Sequence, residues 1–142
     1  MTEKEIIIDG EDAVAGRLAS FAAKKALLGN KVTVLNSEKA IIVGKKNVIL
    51  AKYFHMRSLG KGAQKGPYFP SRADMILRRM IRGMLPWDRT KGREAFKRVY
   101  CFKSIPEKYQ SKFKDAIRFE KTTALNHLTI KEIANALRPQ ED

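Results

Sequence analysis

A chain of 142 residues is long enough for one domain with its own core, and 44% apolar with 31% charged residues is a globular balance, not a disordered one. A net charge of +14 and a pI near 10.1 point to a polyanionic partner: nucleic acid, an acidic membrane surface or an acidic protein. One cysteine excludes an internal disulfide, two histidines give no ligand set at metal spacing, no apolar run approaches the roughly 20 residues of a spanning helix, and the start MTEKEIIIDG is unlike a secretory signal. A cytosolic protein without cofactor, membrane partner or small-molecule substrate is expected.

In chain order, residues 5–9 (EIIID) form a β-branched run ended by Gly10 and read as a buried strand. A helix is predicted over 13–28, with Asp12 as its N-cap and Gly29-Asn30 as its stop. Val14, Leu18, Phe21, Ala22 and Leu28 lie to one side of it, and Arg17, Lys24 and Lys25 point elsewhere. Residues 31–36 (KVTVLN) are a second strand. Strand, helix and strand within about 30 residues make a βαβ unit, which favours a parallel pair and a right-handed crossover and sets the class as α/β. Residues 40–43 (AIIV) are a third strand, and 45–56 a second helix with Val48, Ile49, the Lys52 stem and Tyr53 placed to pack. The acidic group Asp9, Glu11 and Asp12 stands where α/β sheets bind ligands, beyond a strand's carboxyl end. Helix capping and the helix dipole account for all three without catalysis.

The stretch 57–98 is the charge centre, with twelve Lys/Arg against three Asp/Glu, a net of +9. It opens with Arg57 and the run Gly60-Lys61-Gly62-Ala63-Gln64-Lys65-Gly66, which fits neither a Rossmann fingerprint nor a P-loop. Its missing side chains let a lysine-bearing backbone come close to phosphates. After the hinge Pro67-Tyr68-Phe69-Pro70, Ser71 and Asp74 stand where an N-cap and its capping-box-like partner belong, and Gly83 and Pro86 end the helix. On a helical wheel Ala73, Ile76, Leu77, Met80, Ile81 and Met84 share one arc, while Arg72, Arg78, Arg79 and Arg82 share the opposite one with Met75 among them. A solvated helix face mixes both signs for i,i+4 support, whereas this one has Asp74 alone at its edge. An anion from outside the domain is expected to answer it.

Pro86-Trp87-Asp88-Arg89 turns the chain, and Thr90 is predicted to cap a short helix through Phe96 and Lys97. Trp87 is open to two readings, base stacking and packing. Residues 99–102 (VYCF) alternate as a strand in which Cys101 reads as a small buried residue. Ile105-Pro106 breaks the chain and 107–123 is Lys-rich and less regular. Thr129-x-x-Glu132 is a capping box, followed by Ile130, Ile133, Ala134 and Leu137 on one helical face before Pro139.

Gly66-Pro67-Tyr68, Pro70-Ser71-Arg72, and Arg82-Gly83-Met84-Leu85-Pro86 followed by Lys91-Gly92 resemble the signature region of the large-subunit ribosomal protein thirteen family. Gly16-Arg17-Leu18-Ala19-Ser20, Leu28-Gly29 and the strand into Asn36 are similar to its opening, and Ile105-Pro106 with Tyr109 to its later turn. The resemblance covers most of the chain, departs most over 110–128, and in its Gly-Pro-Tyr to Pro-Ser-Arg spacing looks archaeal and eukaryotic. It implies an α/β sandwich, a small, mostly parallel four-stranded sheet flanked by helices in three layers, as one domain over 1–142 with a basic loop and helix excursion.

The resemblance further implies a structural and assembly protein of the cytoplasmic large ribosomal subunit. Its partners would be large-subunit rRNA and neighbouring ribosomal proteins, with no catalysis. By position Arg72, Arg79, Arg82, Lys91 and Arg93 are the expected RNA contacts, presented by the turn at Gly83, Met84 and Pro86. Lys61 and Lys65 join them on composition, and Arg57, Tyr68, Arg78 and Arg89 belong to the same basic stretch. A free-standing RNA- or DNA-binding module carries the same charge and is the alternative. An enzyme would need a nucleophile, base or metal set that these residues do not assemble.

Overall fold

The β-branched run at residues 6–8 lies inside a sheet because strands pair with it on both sides. The computed structural model describes residues 4–59, 69–121 and 126–137. Within these, the chain runs through β1 (Glu5–Asp9), α1 (Ala15–Leu27), β2 (Lys31–Leu35), a 3-10 turn (Ser37–Lys39), β3 (Ile41–Val43), α2 (Lys46–Ser58), α3 (Ala73–Gly83), α4 (Thr90–Lys97) and β4 (Val99–Cys101). It continues through α5 (Glu107–Gln110), a second 3-10 turn (Phe113–Asp115), β5 (Ile117–Arg118), β6 (His127–Thr129) and α6 (Ile130–Leu137). The main sheet has the order β4-β2-β1-β5, with every pair parallel. Helices flank it as a three-layer α/β/α arrangement. No helix among the described residues is long and apolar enough to cross a membrane.

The β1 and β2 strands align Ile6 with Val32 and Ile8 with Val34, and β4 continues the row with Val99 and Cys101. Ile8, Val32, Val34 and Val99 are fully buried, as strands covered on both faces require. Burial pushes the Cys101 thiol up to about 12, with Arg78 and Asp74 pulling it in opposite directions nearby, so it behaves as a small core residue.

The third predicted strand takes a different place from the one expected. Instead of joining the main sheet, β3 pairs antiparallel with β6, Ile42 opposite Leu128, and touches the rest through one parallel bridge from Val14 to Ile41. Its place at the edge of the main sheet is filled by β5, from the stretch that reads as irregular. Two residues are too few to show a period, and a side-chain pair reinforces the parallel ladder between β5 and β1. Arg118 Nε donates to Asp9 Oδ2 at 3.3 Å, in the register that sets Asp9 beside Arg118.

Asp9 does not cap α1, whose N-cap position is Val14. Its Oδ1 accepts from the Glu11 N–H at 3.0 Å and from Asn36 Nδ2 at 3.2 Å, while Asn36 itself adopts a left-handed backbone, φ 56°. Asp12 also departs from its predicted N-cap role. It too is left-handed, φ 60°, and α1 begins three residues later with Val14 in the N-cap position. The predicted stop is as expected: Gly29, at φ 98°, lets the Asn30 N–H reach the Lys25 carbonyl.

The buried face of α1 is mostly alanine: Ala15, Ala19, Ala22, Ala23 and Ala26, with Leu18. Small side chains let another helix approach closely, and α3 packs there. Phe21 is only half-buried, set edge-on to Phe119 at 5.5 Å, and Leu28, predicted to be inside, is 67% exposed. In α2 only Ile49 and Tyr53 of the predicted packing set are buried, and Val48 is 65% exposed. The N-cap half of the C-terminal capping box is present, with the Glu132 N–H donating to Thr129 Oγ1 at 3.2 Å.

Burial separates two substitutions in similar side chains. Ile81 is fully buried on α3, so Ile81→Ala is expected to cost about 2–5 kcal/mol in urea unfolding. Leu28→Ala removes an exposed side chain and should change stability by less than about 0.5 kcal/mol. Equal losses at the two positions would contradict this assignment of the core.

Candidate nucleic-acid interface

The helix α3 carries Arg78, Arg79 and Arg82, and its orientation follows from its apolar side. Ala73, Ile76, Leu77 and Ile81 are buried against α1, β4 and α6. Met80 packs partly against the core, and Met84, predicted to share that face, is exposed because the helix has already ended. The N-cap position falls on Arg72, one residue after the predicted Ser71, with no side-chain cap. Asp74 is buried instead of lying at the helix edge. Its Oδ2 accepts from Arg72 Nη2 at 3.2 Å, and its Oδ1 has no hydrogen-bond partner among the described residues.

The four arginines of the predicted face are not equivalent. Arg78 turns inward: Nε donates to the Val99 carbonyl at 3.2 Å, Nη2 donates to the Phe96 carbonyl at 3.3 Å, and its Cζ stands 3.9 Å from the centre of the Phe96 ring. Groups inside the fold answer this arginine, which corrects the expectation that the whole face waits for an outside anion. Arg82, one turn later, lies over the Trp87 ring at 4.2 Å. Arg79 stands 6.0 Å from the Phe69 ring, and burial, followed by the nearby Arg82 charge, holds its pKa below the ordinary guanidinium value. Arg72 is largely exposed.

Trp87 and Phe96 meet edge to face, 5.3 Å apart with planes at 86°. The result is a ladder of Arg78, Phe96, Trp87 and Arg82, in which guanidinium groups from α3 lie on rings from the following turn and α4. The packing reading of Trp87 is met here, since its ring lies against Phe96 and Arg82, and the residue remains 38% exposed. Phe96 was legible only as a helix residue. A signal for its role exists in the i,i+4 spacing of Arg78 and Arg82.

The turn between the helices is set by contact between two main-chain segments. A Cβ on Gly92 would fall 2.0 Å from the Pro86 oxygen, a separation no side chain can occupy. The Arg89 N–H also donates to the Pro86 carbonyl at 3.1 Å. Pro86 of the predicted turn and Gly92 of the Lys91-Gly92 motif are thus two sides of one packing contact. Gly83, by contrast, has open space where a Cβ would stand.

The remaining predicted residues are dispersed. Arg89 occupies the N-cap position of α4, and Lys91 and Arg93 are exposed on that helix, with Arg93 Nη2 donating to the Asp88 carbonyl at 3.3 Å. Arg57, at the end of α2, donates to the Phe69 carbonyl at 2.5 Å and so joins that helix to the segment entering α3. Lys61, Lys65 and Tyr68 lie outside the described residues. Arg98, which the sequence did not single out, donates to the Ala26 carbonyl at 2.7 Å at the end of α1.

Two adjoining clefts open on this surface and share Arg79, Arg82 and Trp87. One, of about 320 Å³, is completed by Pro70, Met75, Arg78 and Phe96. The other, of about 420 Å³, is completed by Met56, Phe69, Gly83 and Leu85. Cationic groups above apolar and aromatic walls can hold a phosphate and a flat ring together.

The family described as ribosomal protein L13 matches residues 3–108. A large ribosomal subunit protein uL13 from Methanopyrus kandleri is 49% identical over 104 residues, covering 73% of this chain and 65% of that protein. The uL13 of Archaeoglobus fulgidus is 36% identical over 135 residues, 92% of this chain and 86% of its own length. The Halobacterium salinarum uL13 is 33% identical over 135 residues, 95% and 92% of the two lengths. The family match ends just before the stretch where the sequence departs from the resemblance.

The two glycines of the turn should respond differently to a methyl group. Gly92→Ala has to push the Pro86 carbonyl away and is expected to lower the melting temperature and disturb the Trp87 environment. Gly83→Ala, in open space at the end of α3, should be neutral or stabilising by up to about 1 kcal/mol. Thermal melts with near-UV circular dichroism check both, and a silent Gly92→Ala would overturn the close contact.

Proposed function

We propose a function on the footing that the chain belongs to the ribosomal protein L13 family, in its archaeal branch: it is a structural constituent of the large ribosomal subunit that binds large-subunit rRNA and supports its assembly, without catalysis. It acts as a single domain in the cytoplasm, beside neighbouring ribosomal proteins. The observation that carries this reading is the arginine and aromatic face of α3 and α4, set in a stretch with a net charge of +9.

A-form RNA hides its major groove, so a protein of this kind grips phosphates, 2′-hydroxyls and unpaired bases. A guanidinium suits that task, because its planar fork matches phosphate oxygens and its face stacks on rings. Arg79 and Arg82 at the clefts, with Arg72, Arg89, Lys91 and Arg93 around them, are the proposed contacts. Lys61, Lys65 and Tyr68 extend the set on sequence alone. Arg57 and Arg78 donate to main-chain carbonyls, so in this proposal they shape the surface and add to its field while others make the closer grip.

Binding to rRNA fragments is expected to weaken steeply with salt. If about six phosphates are neutralised, log K falls against log salt with a slope of roughly −4 to −5. Arg79→Gln with Arg82→Gln should flatten that slope by about 1.5–2 while the melt stays near wild type, whereas Arg78→Gln, which loses two carbonyl partners, should lose about 1–2 kcal/mol of stability. In sucrose gradients the native protein should sediment with large subunits. A slope near zero, or a protein found only free of ribosomes, would contradict the proposal.

A further inference from the structure

The cleft beside Arg82 has features that phosphate binding alone does not call for. An exposed cation is enough to meet a phosphate, yet here the Arg82 guanidinium carbon stands 4.2 Å from the centre of the Trp87 ring and borders a recess walled by Pro70, Met75 and Phe96. About 320 Å³ is at the small end of the roughly 300–1,000 Å³ of ligand sites, enough for one base and closed to a duplex. The neighbouring cleft, sharing Arg79, Arg82 and Trp87, gives a chain somewhere to continue, so a polymer fits better than a free nucleotide.

We propose that this cleft takes the base of a single unpaired RNA nucleotide, stacked on the Arg82 guanidinium with Trp87 behind it, while Arg79 meets the adjoining phosphate. The site deepens the rRNA-binding reading and rests on it. The Trp87 ring and its edge-on contact with Phe96 hold the platform before the nucleotide arrives, which reduces the ordering cost of binding. Burial first and the nearby Arg82 charge second lower the Arg79 pKa, and an anionic phosphate beside both guanidinium groups offsets the charge repulsion. An aromatic or guanidinium plane accepts any base, so selection here is for an unpaired nucleotide more than for its identity.

Trp87 is the chain's single tryptophan, so fluorescence excited at the red edge, where tyrosine does not absorb, reports this site alone. The full chain is titrated with oligoadenylate, a blunt RNA duplex, polyphosphate and adenosine monophosphate at one salt concentration. Oligoadenylate is expected to quench Trp87, while duplex and polyphosphate bind without comparable quenching and the monophosphate binds far more weakly. Arg82→Lys keeps the charge but loses the plane. It should weaken oligoadenylate about five- to tenfold and weaken duplex and polyphosphate clearly less.

Equal quenching by all three polymers, or an equal loss for all three in Arg82→Lys, would overturn the base site and leave the rRNA-binding proposal standing. Monophosphate binding as tight as oligoadenylate would overturn the choice of a polymer. Failure of both RNA probes to bind would overturn both readings. The wild-type titration decides between the first outcomes without any variant.

Discussion

The contact between Gly92 and the Pro86 carbonyl is the constraint on which the basic surface depends. It folds α4 back against the end of α3 so tightly that no side chain fits between the segments. Only with that approach do Phe96 and Trp87 come beneath Arg78 and Arg82. The other half of the constraint is the buried side of α3. Ile76, Leu77 and Ile81 commit that side to the alanine face of α1, leaving the arginines a single direction to take. Core packing and surface chemistry are therefore set by the same helix. Arg78 belongs to both, holding the carbonyls of Phe96 and Val99 that join α4 to the sheet.

This arrangement puts the basic surface away from where an α/β sheet usually offers a ligand site. The crevice beyond the strands' carboxyl ends is the common ligand site in such folds. Here Asp9 fills that region with its own bonds to Glu11, Asn36 and Arg118, which join the turn after β1, the turn after β2 and the edge strand β5. The acidic side chain is occupied in holding the sheet edge, and the charge suited to a polyanion lies instead on the helical layer.

Much of the fold was legible because its signals are periodic. The parallel pair β1 and β2, the apolar face of α3 and the Thr129 cap of α6 each follow from spacing that only one structure satisfies. What escaped was set by contacts distant in sequence. The two residues of β5 have no period of their own, and their pairing is reinforced by Arg118 reaching Asp9 across the chain. The third strand has the right composition but pairs with β6, since a β-branched run does not encode its neighbour. On the interface, the wheel set Arg78, Arg79 and Arg82 apart from the buried apolar side of α3, while Arg72 precedes the helix. It could not register that α4 would return under one of them and supply carbonyls and a ring to Arg78. The glycine and proline of the turn were visible as a motif, while their reason, a main-chain contact, was visible only in three dimensions.

The central claim is that the arginine and aromatic face of α3 and α4 is the surface that rests on rRNA. Ultraviolet crosslinking of large subunits containing the native chain, followed by mass spectrometry of RNA-linked peptides, tests it most directly. The account predicts crosslinks concentrated in residues 72–93, with Trp87 among them. Crosslinks confined to α2 and α6, with none on α3, the turn or α4, would contradict it.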